Sequence, residues 1–464
     1  MNALDAADLV FPKSGHQTLK GLKEAYLKEL LRETLLVAAN IRHPDESRGP
    51  GPRGSLDSGF RPLSNGSGSG TSSPMLGRRN DGWNVTPSLY ELLAGALKTN
   101  PKALLEILSS PEIAPAVWCF KRQKDFPGFE ERIARAVEAL PGSLLISLAA
   151  RNLLPPGGVS WEIGTVPISL ISHSLGFSLT LESGSGWHFE NGRVSALGDA
   201  RFKGGVNLNS ETLLGRRPAA AGISSELCYV TLKHPHPIKL ALKDFNPIAE
   251  AEAHPDKSGN ALDLGGHSEE DWRASLAQCL DWTQDLWPEL FEEMEILLKS
   301  IVPVGYSGTK HLSASYREAV GTIYMTLHPH LLTMTEALIH EFQHNKMNLA
   351  SYFDAFLENA FFPLYKSPVR PDPRPLWGVL LAVHAFLPVA EFYRKMRAAG
   401  HPVSKSPDFD KRLAEIDEKN REGMATLREH AQWTLAGRKL MDELEAVEER
   451  HKGDLVIKFR PVRP

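Results

Sequence analysis

The sequence predicts an α+β protein with a helical N-terminal part, a central antiparallel β section and a C-terminal helical region. Three observations carry that expectation. Apolar residues recur at helical spacing through 17–41, 87–109 and 128–154. Between 158 and 243 the period shortens towards two, as in half-buried strands. From 268 onward helical spacing returns, interrupted by one strand-like run.

Each element has its own reason. Residues 17–41 set Leu19, Leu22, Ala25, Tyr26, Leu30 and Leu31 on one helix face. The composition then changes abruptly, and 42–82 is dominated by Gly, Ser, Pro and Arg, with too few apolar side chains to order itself. Its R-H-P-D-E-S-R-G-P, L-D-S-G-F and R-R-N-D strings resemble the translation of a bacterial dispersed DNA repeat, which implies an insertion with no function of its own. In the β section PISLISHS, FSLTLES, ELCYVTLKH and PIKLALKD read as strands, and Asn191-Gly192 is a strong short hairpin signal. A loop (246–267), two helical stretches (268–300), a strand (319–327) and a long helix follow. The expected organisation is an N-terminal helical segment (1–41), a disordered insertion (42–83), a helical region (84–157), a β-rich region (158–245) and a metal-site region (246–464).

Composition narrows the classes. The chain has 464 residues, 42% hydrophobic and 23% charged, within the range of soluble globular proteins. A net charge of −4 gives no basic excess for binding nucleic acid. Three scattered cysteines, Cys119, Cys228 and Cys279, exclude a disulfide scaffold and a cysteine zinc site and fit a reducing compartment. The N-terminus lacks the basic start and apolar run of an export signal, so a cytoplasmic location is expected. The longest apolar run, 376–392, is broken by His384, Pro388 and Glu391 and is shorter than the ~20 residues of a membrane span, so it reads as a buried core helix.

The chemistry concentrates in TMTEALIHEFQHNKMNLASYF, residues 333–353. Thr333-x-x-Glu336 has the pattern of a capping box, and no proline or glycine follows until Pro363. His340 and His344, four apart, share a helix face and can direct two imidazoles at one ion. Glu341 sits beside them, where a zinc peptidase keeps its general base. The metzincin extension fails, because Met347 and Ala350 stand at its Gly and His positions.

The pair needs a third protein ligand, and the helix expected at 375–399 is the natural second wall. Pro375 suits its start, Arg394, Lys395 and Arg397 its last turn, and Gly400 its end. His384 and Glu391 lie two turns apart on one face, with a kink expected at Pro388 between them. His384 is the expected ligand, and Glu391 is the alternative that a thermolysin-like site would use.

HLSASYREAVGTIYMTL, ALIHEFQHNKMNL and RPDPRPLWGVLLAVHAFLPVAEFYRKM together resemble the bacterial HExxH-motif peptide-modification family. The resemblance runs from about 246 to 400 and is most distinctive in H-E-F-Q-H-x-K (His340 to Lys346) and D-P-R-P-L (Asp372 to Leu376). It implies an iron(II)/2-oxoglutarate-dependent peptide β-hydroxylase whose fold differs from the usual oxygenase jelly roll. It further implies a ribosomally made precursor peptide as substrate and makes a radical-SAM modification enzyme a candidate partner. Such a site needs a cation for the far carboxylate of 2-oxoglutarate. Arg374 is the first choice, because a guanidinium grips a carboxylate with two bonds, and Arg370 and Lys346 come next. Glu341 then becomes a ligand or a supporting carboxylate, and Ser313, Ser315 and Tyr316 are expected to line the peptide site. The alternative is a zinc-dependent metallopeptidase with Glu341 as base.

Overall fold

The helical spacing of 17–41 becomes α1, Gln17–Asn40, in a computed structural model. It describes residues 9–12, 16–40, 83–163, 169–182, 184–198, 205–208, 223–233, 238–251, 259–305 and 311–458. The expected insertion at 42–82 lies outside the described residues. Trp83, placed at its end from sequence, instead opens strand β1, Trp83–Thr86. The helical stretch that follows splits at Asn100-Pro101 into α2 (Leu89–Thr99) and α3 (Pro101–Leu108), because Asn100 ends one helix and caps the next through its side chain. Next come α4 (Ala114–Lys121) and α5 (Glu130–Ala150).

The β section forms two antiparallel sheets. One orders β1, β2 (Val159–Ile163), β5 (Gly186–Glu190), β6 (Arg193–Leu197) and β7 (Val206–Asn207); the other orders β3 (Ser169–Ser172), β4 (Phe177–Leu181) and β8 (Ile223–Leu227). Asn191-Gly192 makes the β5–β6 turn, with Gly192 at φ 75°.

A third sheet positions the site. It orders β12 (Ser313–Ala314), β13 (Thr322–Met325), β11 (Ser300–Pro303), β10 (Lys239–Ala241) and β9 (Tyr229–Thr231). Its middle pairs, β10–β11 and β11–β13, are parallel, and its outer pairs are antiparallel. The crossover from β10 to β11 runs through α6 (Glu269–Leu286) and α7 (Pro288–Leu297). Strand β11 occupies the end of the stretch expected to be helical. Both β11 and β13 are buried at every position, so they carry no alternation for the sequence to display.

The chain leaves β13 directly into α8, Leu331–Ala350. A two-stranded ribbon of β14 (Leu364–Tyr365) and β15 (Arg374–Pro375) precedes α9, Leu376–Ala398, which runs unbroken across Pro388. Gly400 at φ 65° follows its end, as expected. The helices α10 (Pro407–His430) and α11 (Leu435–Lys458) complete the described fold. Gly423 lets α10 lie close on α9, since a Cβ there would meet Val383 Cγ2 at 2.4 Å. At 23 residues α9 is long and apolar enough to cross a membrane, as is α5, but most of each is buried inside the protein. One apolar cluster joins Leu30 of α1, Leu144 of α5, Trp161 of β2, Leu338 of α8 and Val389 of α9.

Candidate metal centre

The capping box expected on α8 does not form. The helix begins at Leu331, which puts Thr333 inside the first turn, and its N-cap, His330, makes no side-chain cap. Glu336 is employed elsewhere: it accepts from Tyr393 Oη at 3.0 Å and from Arg412 Nε at 3.1 Å, which ties α8 to α9 and α10.

From Met334 to Ala350 the helix is buried at every position except two, His340 and His344. Their rings meet edge to face with centroids 4.4 Å apart, so the four-residue spacing does bring them together. Glu341 joins them: one donor atom from each of His340, Glu341 and His344 lies within 4.8 Å of the other two. That is a two-histidine, one-carboxylate set, a donor type suited to divalent iron.

Glu341 is held in place. Ser315 Oγ donates to its Oε2 at 2.7 Å. Asn345 Nδ2 in turn donates to Ser315 Oγ at 3.1 Å and to Thr322 O at 3.2 Å, and its Oδ1 accepts from Gly321 N at 2.7 Å. Gly321, at φ +92°, allows this turn; a Cβ there would meet Leu297 O at 2.8 Å. Ser315, expected to line a peptide site, therefore orients the carboxylate. Tyr316, expected there too, bonds through its hydroxyl to Ala249 O and Asn260 Nδ2, and Ser313 lies in the edge strand β12.

Electrostatics favour neutral imidazoles, the form that binds a metal. Burial, then His344, Arg412, His311 and Lys419, hold His340 well below the usual histidine range. Burial also lowers His344, with Glu341 opposing.

The other expected ligands are elsewhere. His384 is fully buried, and its Nε2 donates to the Leu9 carbonyl at 2.9 Å. The reason is rotational: α9 turns Phe386, not His384, towards the pair, with the Phe386 ring 4.5 Å from that of His340. Glu391 is bonded to His451 Nε2 at 3.0 Å, against α11.

The expected co-substrate cations are also displaced. Lys346 Nζ is buried and donates to Glu293 Oε2 at 2.7 Å. Arg370 and Arg374 both face Asp372, at 3.0 and 2.9 Å. Arg374 precedes the first turn of α9, whereas Phe386 lies ten residues into it, about 15 Å along the axis at the usual helical rise.

Two neighbours went unread in the sequence. His311, just before β12, contacts Thr326 Oγ1 through Nδ1 at 3.0 Å, and its Nε2 is buried with no partner among the described residues. Burial and then His328 lower it to about 4. It opens the HLSASYREAVGTIYMTL string, and that was the only available signal. Lys419 sits on α10, a helix whose sequence carries no motif.

Fold and site together define an α+β protein in which a helix carrying a His-Glu-His group that could hold a metal is walled by two more helices and a mixed sheet. No protein-family model matches the chain, and no curated protein matches it in sequence.

Proposed function

We propose that this chain is an iron(II)/2-oxoglutarate-dependent β-hydroxylase of a ribosomally synthesised peptide. The observation that carries the reading is the donor set of His340, Glu341 and His344 on a helix that, from Met334 to Ala350, is open to solvent only at its two histidines. Two imidazoles and one carboxylate leave coordination positions for a chelating co-substrate and O₂. The resemblance of 246–400 to the HExxH-motif peptide-modification family supports the same assignment and supplies the substrate class.

When bound, iron(II) supplies the redox chemistry that activates O₂. His340 and His344 would hold the ion and Glu341 would complete the set, its carboxylate fixed by Ser315. Phe386 covers one side of His340 with apolar surface and restricts water there. The three buried free cysteines suit a reducing, cytoplasmic setting. The thermolysin-like alternative needs a second-helix carboxylate, and Glu391, its candidate, is engaged by His451.

The test is anaerobic loading with Fe(II) followed by 2-oxoglutarate. A weak visible charge-transfer band is expected. With peptide and O₂, succinate should appear and the peptide should gain one oxygen with its chain uncut. Zinc-dependent peptide cleavage without any response to 2-oxoglutarate would overturn the reading.

A further inference from the structure

Two cations stand near the metal centre on one helix, and they differ in how they are partnered. Helix α10 presents Arg412 and Lys419, seven residues and so two turns apart, on one face. Arg412 is satisfied by carboxylates: it pairs with Glu336 through two guanidinium nitrogens and with Glu415 at 3.3 Å. Those bonds outweigh burial and hold it charged.

Lys419 is placed differently. It is half-buried, and its Nζ stands 5.8 Å over the Phe386 ring centroid. Among the described residues it has no hydrogen-bonded or ion-paired carboxylate. Phe386 is the one partly exposed residue between Ala382 and Ala390 on α9, and its ring in turn meets His340 at 4.5 Å. The charge of Lys419 is felt at His340. The ammonium and the metal pair therefore flank one aromatic ring, on a surface that solvent reaches.

Counting charge identifies what would fit. A divalent ion held by neutral His340, neutral His344 and the Glu341 carboxylate keeps one net positive charge. Lys419 adds a second beside the Phe386 ring, where, among the described residues, it is hydrogen-bonded to no carboxylate and feels Glu336 and Glu415 only at a distance. Two separated positive charges in a partly desolvated corner favour a dianion with a negative group at each end.

We propose that Lys419 anchors the far carboxylate of a small dicarboxylate whose other end occupies the metal, with Phe386 flanking the carbon chain between them. This rests on the reading of His340, Glu341 and His344 as a metal centre, and it assigns the co-substrate cation to α10 rather than to Arg374. An acidic peptide side chain offers the same carboxylate chemistry but only one charge, so it would leave the metal end unbalanced.

The test uses the full chain loaded anaerobically with Fe(II), with metal content measured first and ligand binding followed by calorimetry. The probes are 2-oxoglutarate and 2-oxopentanoate, which differ by a carboxylate or a methyl at the far end. The unaltered protein should bind 2-oxoglutarate roughly 10–100-fold more tightly, a preference worth about 1.4–2.7 kcal/mol. Lys419→Met should bring that ratio close to one with metal content unchanged, and Lys419→Arg should restore most of it. An unchanged ratio in Lys419→Met, or no preference in the unaltered protein, would overturn the inference while leaving the metal centre intact. A Lys419→Met defect confined to discrimination between Glu- and Gln-containing peptides would also overturn it, in favour of a peptide carboxylate. Failure of the unaltered protein to hold metal would remove the reading beneath it.

Discussion

Lys346→Met separates a structural lysine from a ligand-binding one. The ammonium of Lys346 and the carboxylate of Glu293 are 0% and 2% exposed and 2.7 Å apart, joining α8 to α7. Methionine keeps the apolar stem, so the change removes the charge and little packing. Glu293 would be left buried, with His16 Nδ1 at 3.7 Å as its remaining ion-pair neighbour among the described residues. Breaking one side of such a pair costs about 3–5 kcal/mol, a large share of the ~5–15 kcal/mol that holds a typical domain folded. Urea unfolding followed by circular dichroism measures the loss. Adding Glu293→Leu removes the stranded charge, and the double variant should return to within about 1–2 kcal/mol of the unaltered protein. A Lys346→Met protein that keeps its stability within about 1 kcal/mol yet loses 2-oxoglutarate binding would refute this reasoning and restore Lys346 as the co-substrate cation.

Three further outcomes are expected. His384→Leu should retain metal, because the ring faces Leu9, while losing about 1 kcal/mol of stability with its hydrogen bond; loss of metal on dialysis against a weak chelator would contradict this. Ser315→Ala should lower metal affinity about 10–100-fold in chelator competition without altering helical content, and unchanged affinity would show that Glu341 needs no support. Glu112→Gln tests a buried carboxyl that accepts from His173 N at 2.7 Å and is raised by burial to about 7. Its folded pKa exceeds the unfolded value of 4.5, so its contribution to stability is full below about pH 4.5 and is lost as pH rises through 7. Relative to the unaltered protein, the glutamine variant should gain up to about 3 kcal/mol between pH 5 and pH 8.5 by chemical denaturation, and a pH-independent difference would count against it.

The parts of the molecule visible in its sequence are those governed by local periodicity. The α1 stripe, the Asn191-Gly192 hairpin and the His340/His344 spacing each depend on residues within a few positions, and each formed. Strand β11 did not announce itself because a strand buried on both faces has no alternation to read. The second wall of the site was the harder problem. A His two turns from a Glu on an apolar helix is compatible with a ligand, but which face turns inward is decided by α8, α10 and the Leu9 segment together. Rotation by two positions puts Phe386 at the metal pair and His384 against a backbone carbonyl. The same holds for charge: Lys346 and Arg374 lie in motif-like strings, but Lys346 is paired with Glu293 and Arg374 shares Asp372 with Arg370, whereas Lys419 lies in an unmarked helix.

Helix α8 is fastened at four points, each to a different part of the fold: Glu336 to α9 and α10, Glu341 to Ser315, Asn345 to the turn at Gly321, and Lys346 to α7. These bonds oppose both roll and slide of the helix. The conformational entropy of arranging the His-Glu-His group is thus lost when the chain folds, and an ion bound as proposed would meet donors already in place. This is the reverse of a zinc finger, in which the ion drives folding. Here a chelator should strip the ion and leave a native scaffold behind, and any motion that admits a peptide must belong to the walls around α8 rather than to the helix that carries the ligands.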